Sequence, residues 1–176
     1  MPAASRPPGP RPVTEVFVSV GSNVEPARHV RAGVEALRRR FGPLRVSTVY
    51  QCPAVGFSGD DFYNLVLSFH TGEDPYAVAR ALHEIEAAMG RRRGGPRFAS
   101  RTLDLDLILH GDAVLQEPTL RLPRPDILRY AFVLRPLAEL APDLRHPVEG
   151  RSYAELWSGF DASDQPMWPV RPSPLG

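Results

Sequence analysis

The clearest alternation of apolar and polar positions lies at residues 102–109. Leu103, Leu105, Leu107 and Leu109 are interleaved there with Asp104 and Asp106. A period of two predicts a half-buried strand, with the leucines on one face and both aspartates on the other. Glu15–Val20 reads as a buried strand closed by a Gly21-Ser22-Asn23 turn, Leu44–Gln51 as a second strand and Phe62–Thr71 as a third. Pro26 suits a first helical turn, and Val30, Val34, Leu37 and Phe41 recur at helical spacing until Gly42-Pro43 stops them. Asp74-Pro75 opens a second helix with Val78, Leu82, Ile85 and Met89 as its core stripe and Gly90 as its cap. Beyond the central strand the pattern predicts a short strand at Ala113–Leu115. It then predicts a helix over Phe132–Leu140 despite Pro136, and a short helix at Tyr153–Trp157.

Strands and helices alternate irregularly, and several strands arrive as near neighbours. That order predicts an α+β fold with a largely antiparallel sheet. The expected organisation is a single domain over residues 14–157, a disordered Pro-rich tail over 1–13 and a poorly ordered tail over 158–176. A formal net charge of +1 demands neither nucleic acid nor a membrane as partner. No apolar run reaches membrane-spanning length, and the Pro-rich start has no hydrophobic signal core, so no secretion signal is expected. Cys52 is the one cysteine, which excludes an internal disulfide and fits a reducing cytoplasm. A cytoplasmic monomer is the expectation. All 21 basic residues are arginine, which excludes a Walker-A loop, a Schiff base and a protein-kinase lysine. Phosphate chemistry here would have to use arginine and metal.

Residues two apart on a strand stand about 6.5 Å apart on one face. Carboxylates at that spacing repel each other and resist burial, and divalent cations between them relieve both problems. Mg²⁺ is the natural candidate, because it takes one or two carboxylates plus substrate phosphates. Immediately upstream, Arg91, Arg92, Arg93, Arg97 and Arg101 surround Gly94-Gly95-Pro96 and offer planar forks for phosphate oxygens. Alone, the Asp pair reads as a solvated strand face and the arginine run as a solvated helix end. Joined by a Gly-Gly hinge, they favour a metal–phosphate site beneath a moving lid. The Arg38-Arg39-Arg40 run suits a helix C-terminus and needs no function. His83 and Glu86, three apart on one helix flank, read as a surface pair. The loop Cys52–Asp61 is too apolar for an idle connection, and it gathers Val55, Phe57, Phe62 and Tyr63 near Asn64. Core packing explains the aromatics. A buried Asn64 amide needs partners, which a flat heterocycle with amide-like edges would supply.

The stretch Arg101-Thr102-Leu103-Asp104-Leu105-Asp106-Leu107-Ile108-Leu109 resembles the signature of the 6-hydroxymethyl-7,8-dihydropterin pyrophosphokinase family of folate biosynthesis. Val20-Gly21-Ser22-Asn23, Asp61-Phe62-Tyr63-Asn64, Glu86, Gly90-Arg91, Phe132–Leu137 and Ala141-Pro142 support it, so the likeness runs in order over residues 14–157. The resemblance implies a three-layer α/β/α arrangement around a mostly antiparallel, ferredoxin-like sheet. It also implies transfer of pyrophosphate from ATP to the hydroxymethyl group of 6-hydroxymethyl-7,8-dihydropterin, giving AMP. By position it implies that Asp104 and Asp106 hold two Mg²⁺ ions. Arg91, Arg93, Arg101 and Glu86 would serve ATP, with Arg91 and Arg101 acting in catalysis beside the aspartates. Phe62 and Phe132 would sandwich the pterin, Asn64 would bond its amide edge, and Cys52 and Val55 would add backbone contacts.

Three positions depart from the family pattern. Phe98 stands where a lid tryptophan is common, and Ala99-Ser100 follows it. Pro123-Arg124 replaces a Pro-His pair, and Tyr130 replaces an arginine two residues before the stacking Phe132. Arg124 or Arg129 would restore the lost phosphate charge, and Arg124 is expected to bind ATP. Two rival readings are a non-catalytic nucleotide- or pterin-binding paralogue and a ferredoxin-like RNA-binding module. The retained Asp pair opposes the first, and its acidic face opposes the second.

Overall fold

A computed structural model describes residues 12–54, 59–90 and 102–176. In chain order its elements are β1 (Thr14–Ser22), α1 (Pro26–Phe41), β2 (Arg45–Val46), β3 (Tyr50–Cys52), β4 (Phe62–Thr71), α2 (Pro75–Ala88) and β5 (Asp104–His110). Then follow β6 (Leu115–Gln116), β7 (Arg121–Leu122), α3 (Asp126–Arg129), α4 (Ala131–Leu140), α5 (Tyr153–Ser158) and β8 (Trp168–Pro169). The main sheet runs β5-β1-β4-β3-β8, with β2 also on β4, and every pairing is antiparallel.

Both faces of this sheet are covered, which is why β1 is apolar or small from Val16 to Ser22. On one side Val30, Val34 and Leu37 of α1 and Val78 and Leu82 of α2 pack on Val16, Val18, Val20, Leu65 and Leu67. On the other, Val133, Leu134 and Leu137 of α4 and Tyr153 of α5 pack on Phe17, Val66 and Ile108. The result is three layers with an antiparallel sheet in the middle. Helix ends follow the expected chemistry. Pro26 opens α1 and Gly42, at φ 88°, closes it, while the Asp74 side chain accepts from the Ala77 N–H at 2.9 Å at the start of α2.

Several elements differ from the sequence reading. Gly21 and Ser22 belong to β1 and are not a turn. The predicted second strand is two pieces, β2 and β3, and side chains enter the backbone bonding at the break between them. Ser47 Oγ accepts from the Val66 N–H at 3.0 Å, and Glu139 of α4 accepts from the Thr48 N–H at 2.6 Å. The short strand beyond β5 is displaced to Leu115–Gln116, where it pairs with β7. The alternation in β5 also breaks. The pairing with β1 shifts between Phe17 and Val18, so Leu107 opposes Val18, Leu109 opposes Phe17 and Ile108 is the extra residue. This β-bulge turns Leu109 into the α4 layer, opposite Leu103, Leu105 and Leu107. Residues 158–176, expected as a poorly ordered tail, return to the sheet. β8 pairs with β3, Val170 N–H donates to Val49 O at 2.9 Å, and Arg31 Nε donates to Pro174 O at 2.9 Å.

β5 is an edge strand, and an edge leaves backbone donors without a ladder partner. Glu86 of α2 answers one of them: its Oε2 accepts from the Leu105 N–H at 2.9 Å, and only 2% of its side chain is exposed. Its other oxygen lies 3.2 Å from His83 Nδ1, whose ring is 66% exposed. Glu86 was expected among the ATP contacts, and in the fold its buried carboxylate also holds the edge of β5. Removing the acceptor would strand a buried N–H beside Asp104 and Asp106. Glu86→Ala should therefore lower the unfolding free energy by about 1–3 kcal/mol, and Glu86→Gln should lose less because an acceptor remains. Calorimetric melting of both variants checks this.

Candidate active site

Directly opposed residues in antiparallel strands share a face of the sheet. Across the middle of this sheet the register aligns Asp104 with Gly21, Gly21 with Asn64, and Asn64 with Tyr50. Next to that row, Asp106 opposes Ser19 and Cys52 opposes Phe62. Asp104, Asp106, Asn64, Cys52 and Phe62 therefore stand on one face, the face that α4 covers. With strands about 4.8 Å apart, two spacings put the Asp104 position roughly 10 Å from the Asn64 position.

Gly21 is what lets Asn64 lie flat in this row. A Cβ at Gly21 would stand 2.9 Å from Asn64 Oδ1, closer than real Cβ contacts allow. On its other side, Asn64 Nδ2 donates to Cys52 Sγ at 2.9 Å. Sulfur is a weak acceptor, so the buried amide is held in place without being strongly satisfied. Burial pushes the Cys52 thiol up to about 11, despite the Asn64 bond acting the other way. The thiol is thus protonated and unreactive at neutral pH.

Cys52 also lines a cavity of about 360 Å³ with Pro53, Ala54, Tyr130, Ala131 and Phe132. Its remaining wall is Asp164, Gln165, Pro166 and Met167. Tyr130 and Phe132 stack with centroids 5.0 Å apart and planes 16° from parallel. An apolar slot with an aromatic wall and few polar groups suits a flat heterocycle. Tyr130 and the stretch Asp164–Met167 were not singled out from the sequence for this slot. Met167, Trp168 and Val170 were the available signal, since a solvated tail seldom carries so much apolar surface.

The carboxylate end is electrostatically tense. The Asp106 carboxyl is pushed up to about 7, first by burial and next by the Asp104 carboxylate. Arg124 pulls it down, while Glu86 and Asp126 push it further up. Arg124 Nη2 lies 3.6 Å from Asp106 Oδ1, and its Nε lies 3.2 Å from Asp126 Oδ2. Even so, 32% of the Asp106 side chain remains exposed. The nearby guanidinium therefore neither encloses Asp106 nor neutralises the group. Among the described residues no cluster of three or more His, Cys, Asp or Glu forms a ready-made metal cage. Two carboxylates on one strand face, with part of Asp106 exposed, fit a hard divalent cation whose other ligands come from substrate. Arg91, Arg93, Arg101 and Val55, together with the expected lid, lie outside the described residues.

The family model for 7,8-dihydro-6-hydroxymethylpterin-pyrophosphokinase (HPPK) matches residues 17–142. A Pseudomonas aeruginosa protein named 2-amino-4-hydroxy-6-hydroxymethyldihydropteridine pyrophosphokinase is 38% identical over 148 residues, 82% of this chain and 90% of its own length. A protein of the same name from Synechocystis is 33% identical over 158 residues, 88% of this chain and 80% of its own. Among solved structures, a Plasmodium falciparum HPPK-DHPS aligns with a TM-score of 0.68 at 13% identity over 84% of this chain. This chain spans 44% of that one, and at such identity the likeness speaks for the fold alone.

A carboxyl raised in the fold penalises stability once it must ionise. The Asp106 penalty is absent below its unfolded value near 3.8, grows as pH rises, and is complete above about 7. Asp106→Asn should therefore stabilise the protein at pH 8 and change little at pH 4. The gain should be about 1–2 kcal/mol once screening of the partly exposed group is allowed for. Thermal melts of both proteins across that range measure it; equal shifts at both ends would contradict it.

Proposed function

The chain belongs to the 7,8-dihydro-6-hydroxymethylpterin-pyrophosphokinase family, and we propose that it transfers pyrophosphate from ATP to the hydroxymethyl group of 6-hydroxymethyl-7,8-dihydropterin through the Asp104–Asn64 face. The observation that carries this reading is the row across β5, β1 and β4. It sets two carboxylates and one amide on a single face, beside an aromatic-walled cavity. A bicyclic ring recognised at the Asn64 end would direct its hydroxymethyl arm toward the carboxylates.

At the ring end, the pterin amide edge would replace the weak sulfur partner of Asn64 with a stronger one. Phe132 would offer a ring face, with Phe62 near Cys52 across the slot. At the other end, Asp104 and Asp106 would hold Mg²⁺, two ions in this reading. When bound, Mg²⁺ would draw the ATP phosphates to the carboxylates and offset their charge. Arg124, beside Asp106 in the free protein, would move to a phosphate oxygen, and Arg91, Arg93 and Arg101 would add further forks. The hydroxymethyl oxygen forms a bond to the β-phosphorus. The bond from that phosphorus to the oxygen bridging to the α-phosphorus breaks, and AMP leaves with that oxygen. Asp104 is the carboxylate assigned to accept the hydroxyl proton. Positioning and charge neutralisation carry such a transfer, with little covalent work for the protein. No helix among the described residues is long and apolar enough to cross a membrane. A cytoplasmic monomer is part of the same proposal.

Release of AMP that requires both ATP and the hydroxymethyl-dihydropterin tests the reading. Asp104→Ala and Asp106→Ala should each lower kcat by about 100-fold or more, and near wild-type turnover at saturating Mg²⁺ would refute the carboxylate roles. Calorimetric titration with a nonhydrolysable ATP analogue should show tight binding only with Mg²⁺, and weaker binding in Arg124→Ala. Below about pH 7, Mg²⁺ must also displace the Asp106 proton, so its affinity should fall as pH drops.

The slot makes a separate prediction. In Gly21→Ala the new methyl displaces the Asn64 amide, and the pterin Kd should rise about tenfold or more, the usual cost of overpacking a tight site. ATP-analogue affinity should hold.

A further inference from the structure

We infer that Gln165, in the C-terminal segment, is a positioning residue for the pterin: it fixes the start of α4 and so the aromatic wall of the cavity. The inference rests on the functional reading above and adds to it a residue far outside the matched stretch. α4 begins without a local cap. Its N-cap position is Tyr130, whose side chain makes no capping bond, and helix starts leave backbone N–H groups in need of acceptors. Gln165 supplies one from 34 residues away: its Oε1 accepts from the Ala131 N–H at 2.8 Å. The other end of the same amide donates, Nε2 to Arg129 O, at 3.0 Å.

The two bonds straddle Tyr130, and Tyr130 stacks on Phe132. One planar amide thereby sets the backbone on both sides of the ring pair that walls the cavity. Gln165 is itself held from both ends. Upstream, Trp157 and Phe160 stack with centroids 5.8 Å apart and pack on the α4 layer. Downstream, β8 is zipped onto β3, and Leu175 packs on the α1 layer. β3 is also the strand that carries Cys52 to the opposite wall. The segment thus ties the two walls of the slot to each other, and the slot width depends on it.

The test is steady-state kinetics and calorimetry on the full chain, with 6-hydroxymethyl-7,8-dihydropterin and a nonhydrolysable ATP analogue as probes. Gln165→Ala should raise the KM and Kd for the pterin about five- to tenfold, the scale of a lost helix cap. It should leave kcat within about twofold and ATP-analogue affinity unchanged. Gln165→Glu keeps the acceptor for the Ala131 N–H and should recover part of the loss; it also keeps the test open if the alanine variant folds poorly. Unchanged pterin affinity in Gln165→Ala would overturn the inference. So would a fall in kcat, pterin affinity and ATP-analogue affinity together with the melting temperature, which is the mark of a merely structural role. Wild-type protein that takes no pterin at all would overturn the functional reading itself.

Discussion

Asp104 and Asp106 repel each other on one face of an edge strand, and the strand that carries them is held against that repulsion from several directions. The β1 ladder fixes its inner side. Glu86 takes up an outward N–H at Leu105. Leu103, the residue before the pair, sits so close to α1 that a Cβ on Gly33 would stand 2.9 Å from its Cδ2. Past the pair, Ile108 enters the α4 core by the strand's own alternation and the bulge sends Leu109 after it. The apolar anchoring therefore changes face along the strand: the α1–α2 layer grips its first half and the α4 layer its second. Apolar burial on both sides of the sheet is what sustains a charge arrangement that is unfavourable by itself.

Much of this was legible in the sequence, and the parts that were not have a common cause. The first and third strands, both long helices and the Asp pair announce themselves by local periodicity and by local caps such as Asp74 and Gly42. The bulge does not, because it is a property of the pairing between β5 and β1 and leaves the Leu-Asp alternation untouched up to Leu107. The break in the second strand depends on Glu139 reaching across from α4. Glu86 reads as a surface partner of His83 until the fold places its carboxylate on the Leu105 N–H. The return of residues 158–176 depends on an open β3 edge that no local pattern advertises. Local chemistry was readable and tertiary satisfaction of backbone groups was not, as expected when long-range partners override short-range preference.

The site divides along the same line. Its carboxylates and its amide belong to regular strands, so one register fixes them relative to each other. Gly21 is the hinge of that arrangement, because it lies between Asp104 and Asn64 and a side chain there would displace the Asn64 amide. The cavity wall is built differently, from a loop, the start of a helix and a returning segment. Geometry set by a sheet varies little, whereas walls made of connections can change to suit a ligand. The reacting groups thus sit on the rigid part and the ring-recognising surface on the adaptable part.

The departures from the family pattern fit this division. An arginine expected near the stacking phenylalanine is Tyr130 here, and a histidine after the central strand is Arg124. In the fold these two changes move positive charge from the ring wall to the carboxylates. Tyr130 extends the aromatic wall by stacking on Phe132, and Arg124 comes within 3.6 Å of Asp106. A cation placed there lowers the Asp106 carboxyl against burial and against Asp104. It does so without closing off the exposed side of the group. The exchange therefore makes the Asp106 carboxylate better tolerated in the free protein while part of its side chain stays exposed.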